Sequence, residues 1–365
     1  PTQAYWPCRE TICSLFRPLL CNGQHQDSSA APVCCASTWT PHVAAASYHT
    51  PRLLPALALL SLGALLAVAL SVSTGSVAIS TAELWAVLQG EGEPLHRTLI
   101  FDLRLPRSLA AFATGGLLAV AGALMQVLLR NPLADPYVLG LSGGAAVGAL
   151  SAMLLGLGSA AVSGSAFIGA IVSAITVFGL AHGTGSWTPS RLLLTGVVVA
   201  AGWGAVITLM LAISPARELP GMLYWLMGDV SYARAPWPGL GVLVLVCALV
   251  VPLGRSLNVL ARGPMQAAAL GISVRPLEWL IYILASLLTA TAVTMAGSIG
   301  FVGLVVPHML RLVLGNDQRL ILPACALAGG TLLVLADTLA RVVIAPEQLP
   351  VGVITALLGV PTFLY

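Results

Sequence analysis

The stretch RSLNVLARGPMQAAALGISVR, Arg255 to Arg275, lies between two apolar runs, 240–253 and 277–296, and carries three arginines in a chain that is only 8% charged. Its spacing predicts two short helical pieces, 257–261 and 265–270, on either side of Gly263, with Gly271 ending the second. The flanking runs are long enough to enter a bilayer, so the backbone of this elbow must lie outside the hydrocarbon, where water or a partner can satisfy it. Two readings fit. It is a docking surface on which another protein pushes, or it is an ordinary loop between two spans. Spacing alone does not separate them.

Working outward, the whole chain has the same character. Its 365 residues are 58% hydrophobic with a mean hydropathy of +0.95. That exceeds an ordinary soluble domain and indicates an all-α polytopic protein of the lipid bilayer. A net charge of +3 is too small to point to nucleic acid. All 16 basic residues are arginine. Without lysine the chain has no P-loop to hold ATP and cannot form a Schiff base, so ATP-driven work must come from a second polypeptide.

Five of the seven cysteines (Cys8, Cys13, Cys21, Cys34, Cys35) and half of the histidines (His25, His42, His49) fall before the first apolar run. Their spacings match no zinc pattern, and the segment lacks the layout of a cleaved signal peptide. Residues 1–51 are therefore expected to be a disordered or non-native leader, as from a start site placed too far upstream. Residues 52–365 form the membrane domain. Cys247 and Cys325 sit inside apolar runs and read as core.

Ten apolar runs can be marked: 53–72, 108–129, 137–157, 166–180, 191–213, 238–253, 277–296, 304–314, 321–343 and 351–365. About 20 residues cross a ~30 Å core. Between the first two, Ser80-Thr81-Ala82-Glu83 is a capping-box pattern that opens a short helix through Leu88. Pro106 suits the first turn of the second span. Leu219 to Met227 reads as a short surface helix. The run 304–314 is short and interrupted by Pro307, which is tolerated only where protein or a water-filled cavity surrounds it. The sequence stops inside the tenth run, so its C-terminus is expected to be cut short. Loop arginines on the two sides are nearly balanced and orient the chain only weakly, with the elbow cytoplasmic. The doublets Gly115-Gly116, Gly143-Gly144 and Gly329-Gly330 mark places where helices can approach closely.

Three constellations carry possible chemistry. Gly140-Leu141-Ser142-Gly143 fits an intramembrane serine protease if His182 or His308 reaches Ser142, although close helix packing accounts for the same residues. Asp337 lies inside the ninth run, where an ionisable group suggests a proton relay in a secondary transporter. Pairing with Arg341, one turn on, explains it better, because no second buried acid is apparent. Arg104, Arg107 and Arg341 sit at span ends on one face. They either snorkel to headgroups or receive carboxylates from a docking protein.

Several motifs then accumulate: Leu103-Arg104-Leu105-Pro106-Arg107, Gly122-Ala123-Leu124-Met125-Gln126, Asn131-Pro132-Leu133-Ala134-Asp135-Pro136, Gly300-Phe301-Val302-Gly303-Leu304-Val305-Val306-Pro307-His308 with Arg311, and Leu349-Pro350-Val351-Gly352. Over residues 53–365 the chain resembles the permease family of type II ABC importers, which carry iron–siderophore complexes, haem and vitamin B12.

The resemblance implies a homodimer of ten-helix subunits in the bacterial inner membrane, with the pathway at the dimer interface and no cofactor of its own. It implies two cytoplasmic ATP-binding subunits and a periplasmic substrate-binding protein as partners. By the same resemblance the elbow is the part that couples to the ATPases, through Leu257, Leu260, Arg262, Gly263, Pro264, Met265, Ala267, Leu270 and Gly271. Family members usually carry an acid after the glycine, whereas Pro264 and Met265 follow Gly263 here, so any ion pair made by that acid is missing. Arg104, Arg107 and Arg341 match the family's arginines that receive glutamates of the binding protein. Thr188-Pro189-Ser190 resembles the cytoplasmic gate turn, with a proline where the pattern is richer in hydroxyls.

Overall fold

The computed structural model describes residues 53–75, 81–182, 188–233, 235–345 and 347–364. The leading segment with its cysteines and histidines, Ser80 of the capping box, and Arg234 lie outside the described residues. In chain order the helices are α1 (Leu53–Ser73), α2 (Thr81–Gln89), α3 (Pro94–Thr98), α4 (Leu105–Leu129), α5 (Leu141–Leu154), α6 (Ser159–His182), α7 (Pro189–Ile213), α8 (Leu219–Met227), α9 (Trp237–Val250), α10 (Gly254–Leu260), α11 (Pro264–Ala269), α12 (Val274–Ala296), α13 (Val302–Leu314), α14 (Gln318–Val342) and α15 (Val351–Leu364). Among the described residues, six helical stretches are long and apolar enough to cross a membrane unaided, and the bent pair α9–α10 makes a seventh. Three shorter apolar helices lie in α5, α13 and α15, so the ten expected apolar segments are all present.

The fold is centred on α4. Almost every residue from Ala110 to Leu129 is buried, because α14, α12, α13 and α9 surround it. Helices α1, α6 and α7 are peripheral and expose leucine, isoleucine and valine in quantity, among them Leu54, Leu65, Ile175, Leu194 and Leu209. A surface of this kind would aggregate in water but is the natural lipid-facing side of a membrane bundle.

Small residues set the spacing around α4. A methyl group added to Gly115 would overlap the carbonyl oxygen of Gly329 on α14, and one added to Gly122 would overlap the carbonyl oxygen of Gly303 on α13. Bilayer helices gain little from burying apolar surface against one another, so close backbone packing holds such pairs together. The Gly122 contact also explains how α13 carries Pro307 without breaking. Proline has no N–H for the carbonyl four residues back, which is that of Gly303, and this carbonyl points instead at the bare Cα of Gly122.

The second span departs from expectation. The sequence suggests a start at Ser108 after a polar segment, yet helix runs without interruption from Pro94 to Leu129. Residues Leu99–Arg104 form a π-helical turn between α3 and α4. The wider turn lets the helix accommodate Pro106, whose nitrogen cannot complete the ordinary ladder. Arg104 and Arg107 are therefore held on a rigid helix and not on a loop.

Candidate functional site

Helices α4 and α14 pack side by side and run in opposite directions. Each is 25 residues long, or about 37 Å. Polar groups are gathered at both ends of this pair.

At the first end, the N-terminus of α4 meets the C-terminus of α14. Asp337 is fully buried. Arg107 grips it from one side, with Nη2 donating to Oδ1 at 2.9 Å and Nε lying 3.2 and 3.1 Å from the two oxygens. Arg341 lies on the other side, its Nε 3.1 Å from Oδ2. Arg341 also donates to Ser71 Oγ at 2.7 Å, which ties α1 to the cluster. Arg104 donates to the carbonyls of Val72 and Ser73 at 3.0 and 3.3 Å, satisfying the frayed end of α1. The expected Asp337–Arg341 pair is thus present, and Arg107 joins it.

The three arginines selected from the sequence line one recess of about 460 Å³, together with Asp102, Ser231 and Gln348. Arg104 and Arg341 are only 7% and 6% exposed, so they are built into the fold and do not extend to a headgroup layer. Two members of the cluster were not foreseen. Gln348 accepts from Arg107 Nη1 at 2.8 Å. Asp229 lies 3.7 Å from Arg107 Nη2 and is 8% exposed, which makes it a second buried acid and corrects the expectation that none exists. Its sequence signal is local: Asp229 caps the turn Val230–Tyr232 by accepting from Ser231, a pattern that reads as a surface Asx-turn.

At the second end stands the elbow. The chain bends by 72° between α9 and α10, turns at Gly263 (φ +137°), forms α11, and turns again at Gly271 (φ +77°) into α12. Both glycines occupy backbone regions that a side chain disfavours. Gly271 closes α11 in a Schellman arrangement, the N–H of Ile272 reaching back to Ala267 O at 3.0 Å. The proposed coupling residues fall into two sets. Leu257, Leu260 and Ala267 are buried against the bundle and fix the elbow to it. Arg262, Met265 and Leu270 face outward, the last two 86% and 70% exposed. Gly263 and Pro264 form the turn between the two helices.

Of the residues expected at a gate, Thr188 caps α7 through a hydrogen bond from Arg191 N–H at 3.3 Å, and Pro189 and Ser190 form the first helical turn. Residues 183–187 before it lie outside the described residues. The protease constellation does not assemble around His182. Among the described residues its Nδ1 has no hydrogen-bond partner, and its ring sits with Phe178 and Trp279. The glycines beside Ser142 act as packing points, Gly143 against Trp203 and Gly144 against Gly169.

Comparison with known proteins settles the class. The model of the FecCD transport family matches residues 63–365. The chain belongs to the FecCD transport family. As a FecCD protein it is a multi-pass membrane permease of an ABC importer and not itself an ATPase. The cobalamin import system permease protein BtuC of Halobacterium salinarum is 43% identical over 274 residues, covering 74% of this chain and 73% of that protein. The vitamin B12 import system permease protein BtuC of Serratia proteamaculans is 40% identical over 314 residues, 85% and 91% of the two chains. YvrB of Bacillus subtilis, described as an ABC transporter permease protein, is 39% identical over 317 residues, 80% and 88% of the two. A solved inward-facing structure assigned to the metal-chelate type of ABC transporter superposes with a TM-score of 0.76 at 30% identity, covering 85% of this FecCD chain and 97% of that one.

Proposed function

We propose that this chain is the membrane permease of an importer for a metal chelate, cobalamin being the substrate favoured by its relatives. In this reading it works as a homodimer in the bacterial inner membrane, with the pathway between the two copies. Two cytoplasmic ATPase subunits engage the elbows, and a periplasmic binding protein delivers cargo at the mouth formed by Arg104, Arg107 and Arg341. Thr188, Pro189 and Ser190 belong to the gate on the elbow side. The observation that carries the reading is the arrangement of α4 and α14. One rigid helix pair bears the arginine mouth at one end and contacts the elbow at the other, so load at either end can reach the far side.

The alternative of a proton-coupled transporter using Asp337 has less support. Both oxygens of that carboxylate are taken by guanidinium groups, and its role in the fold is to neutralise them.

The experiment is uptake of cobalamin, a ferric siderophore and haem into vesicles containing the chain with its cognate ATPase and binding protein. Uptake of cobalamin that needs both partners and ignores a protonophore is expected. Arg104→Glu with Arg107→Glu should weaken docking of the binding protein, most at low salt. Met265→Asp with Leu270→Asp should lower ATPase association. Protonophore-sensitive uptake without an ATPase would sink the reading.

A further inference from the structure

A cleft of about 750 Å³ opens beneath the elbow, between the end of α4, α10 and the turn from α13 to α14. Among the described residues five arginines line it, Arg130, Arg255, Arg262, Arg311 and Arg319, with one carboxylate, Asp317, in the lining, while Glu278 near the start of α12 acts on Arg130 from outside the cleft. The Asp317 carboxylate is already engaged by Arg319 at 2.8 Å. Arg311 is partly buried and reaches a neutral acceptor, Gln126 Oε1. No ion pair is formed by Arg311, Arg130, Arg255 or Arg262 among the described residues. Like charges gathered in one concavity repel one another, and an anion seated among them removes that repulsion.

Two further features belong to the surroundings of the cleft. Arg130 takes the left-handed conformation at the C-terminus of α4 (φ 50°), where glycine or asparagine is the usual residue. That conformation closes α4 as a Schellman cap, the N–H of Asn131 reaching Gln126 O at 3.2 Å, and Arg130 lines the cleft from this position. On α13, Leu312 and Val313 follow Arg311 on other faces of the same helix and are 70% and 79% exposed, so apolar surface lies within one helical turn of an arginine that lines the cleft. Guanidinium groups pair with phosphate in a two-point geometry, and basic pockets at the ends of membrane helices suit phosphate headgroups whose acyl chains lie on adjacent apolar surface. An acidic protein segment would match the charge but would leave the exposed leucine and valine of α13 in water, and Met265 and Leu270 already give a partner protein an outward face.

We infer that this cleft binds the phosphate group of an anionic phospholipid. The purified full chain in detergent is titrated with phosphatidylglycerol, cardiolipin, phosphatidylcholine or inorganic phosphate at constant ionic strength, and its thermal unfolding midpoint is followed. The two anionic lipids should raise the midpoint, and phosphatidylcholine and inorganic phosphate should not. Arg130→Gln with Arg255→Gln, both exposed and outside the helix packing, should weaken the anionic-lipid response about tenfold, as expected when two guanidinium contacts to phosphate are lost. If that variant fails to fold, Arg255→Gln alone is read by native mass spectrometry and should carry fewer bound phospholipids. An equal response to inorganic phosphate would overturn the lipid assignment in favour of a soluble phosphate. A lipid response unchanged in the variants would overturn the site, and reduced ATPase association in those same variants would reassign the cleft to carboxylates of the motor.

Discussion

Asn258 on the elbow is joined to the first turn of α14 by both atoms of its side-chain amide. Its Nδ2 donates to Asp317 Oδ1 at 2.9 Å, and its Oδ1 accepts the N–H of Gln318 at 2.8 Å. Asp317 is itself the cap of α14. The elbow therefore cannot swing without moving α14 or breaking two hydrogen bonds, each worth roughly 1 kcal/mol. Asn258→Ala should leave the chain folded and the ATPase attached while uptake per ATP hydrolysed falls several-fold. Parallel measurement of transport and hydrolysis in one vesicle preparation checks this. An unchanged ratio would show that the amide joint does not transmit motion.

The same joint has an acid limit. The Arg319 guanidinium, helped by Asn258 and the Arg319 N–H, holds the Asp317 carboxyl down at about 2 from an ordinary 3.8. A lowered carboxylate pKa adds stability that is complete above the unfolded value and disappears as pH falls through the folded one. The elbow joint should hold above pH 3.8 and loosen between there and about 2. Asp317→Asn removes the titration, so the fall in unfolding midpoint across this window should be shallower in the variant than in the native chain. Parallel acid titrations of both, followed by tryptophan fluorescence, test this.

Much of the architecture is legible from hydropathy, since each apolar run became a helix and the elbow broke where Gly263 and Gly271 stand. Runs of apolar residues report burial in lipid or protein whatever their neighbours are. The second span was misread because the segment around Asp102 and Arg104 looks like a loop by polarity, and only the three-dimensional cluster reveals what its charges face. Asp229 and Gln348 were missed for the same reason. Each joins Arg107 across more than a hundred residues of chain, and nothing local in the sequence records that contact. The inward or outward sense of the elbow residues was also hidden, because Leu257 and Leu270 look alike until the bend places one against the bundle and the other in the open.

The close approach of Gly122 and Gly303 leaves no room for a methyl group, because the obstacle is a backbone carbonyl that cannot rotate away. Gly122→Ala should destabilise the bundle by about 1–3 kcal/mol, the usual cost of forcing atoms into a full core. Gly63→Ala on α1, where an added methyl meets nothing within 4 Å among the described residues, should be close to neutral. Unfolding midpoints of the two variants in one detergent give the comparison. Equal effects would mean that α4 and α13 are free to move apart.

Asp337 holds two guanidiniums, but they do not depend on it equally. Arg107 keeps Asp229 at 3.7 Å and Gln348 at 2.8 Å when Asp337 is removed. Among the described residues Arg341 is left with hydroxyls and carbonyls, on Ser71, Thr74, Thr338 and the main chain of residue 337. Breaking a buried ion pair from one side costs about 3–5 kcal/mol, because the other charge stays behind. Asp337→Ala should destabilise the chain by that order. Adding Arg341→Met should recover more of the loss than adding Arg107→Met, since it deletes the charge that has no second carboxylate paired to it among the described residues. A double-mutant cycle on unfolding midpoints separates the two couplings. If Arg107→Met proves the better rescue, Asp229 does not shield Arg107, and the mouth relies on Asp337 alone.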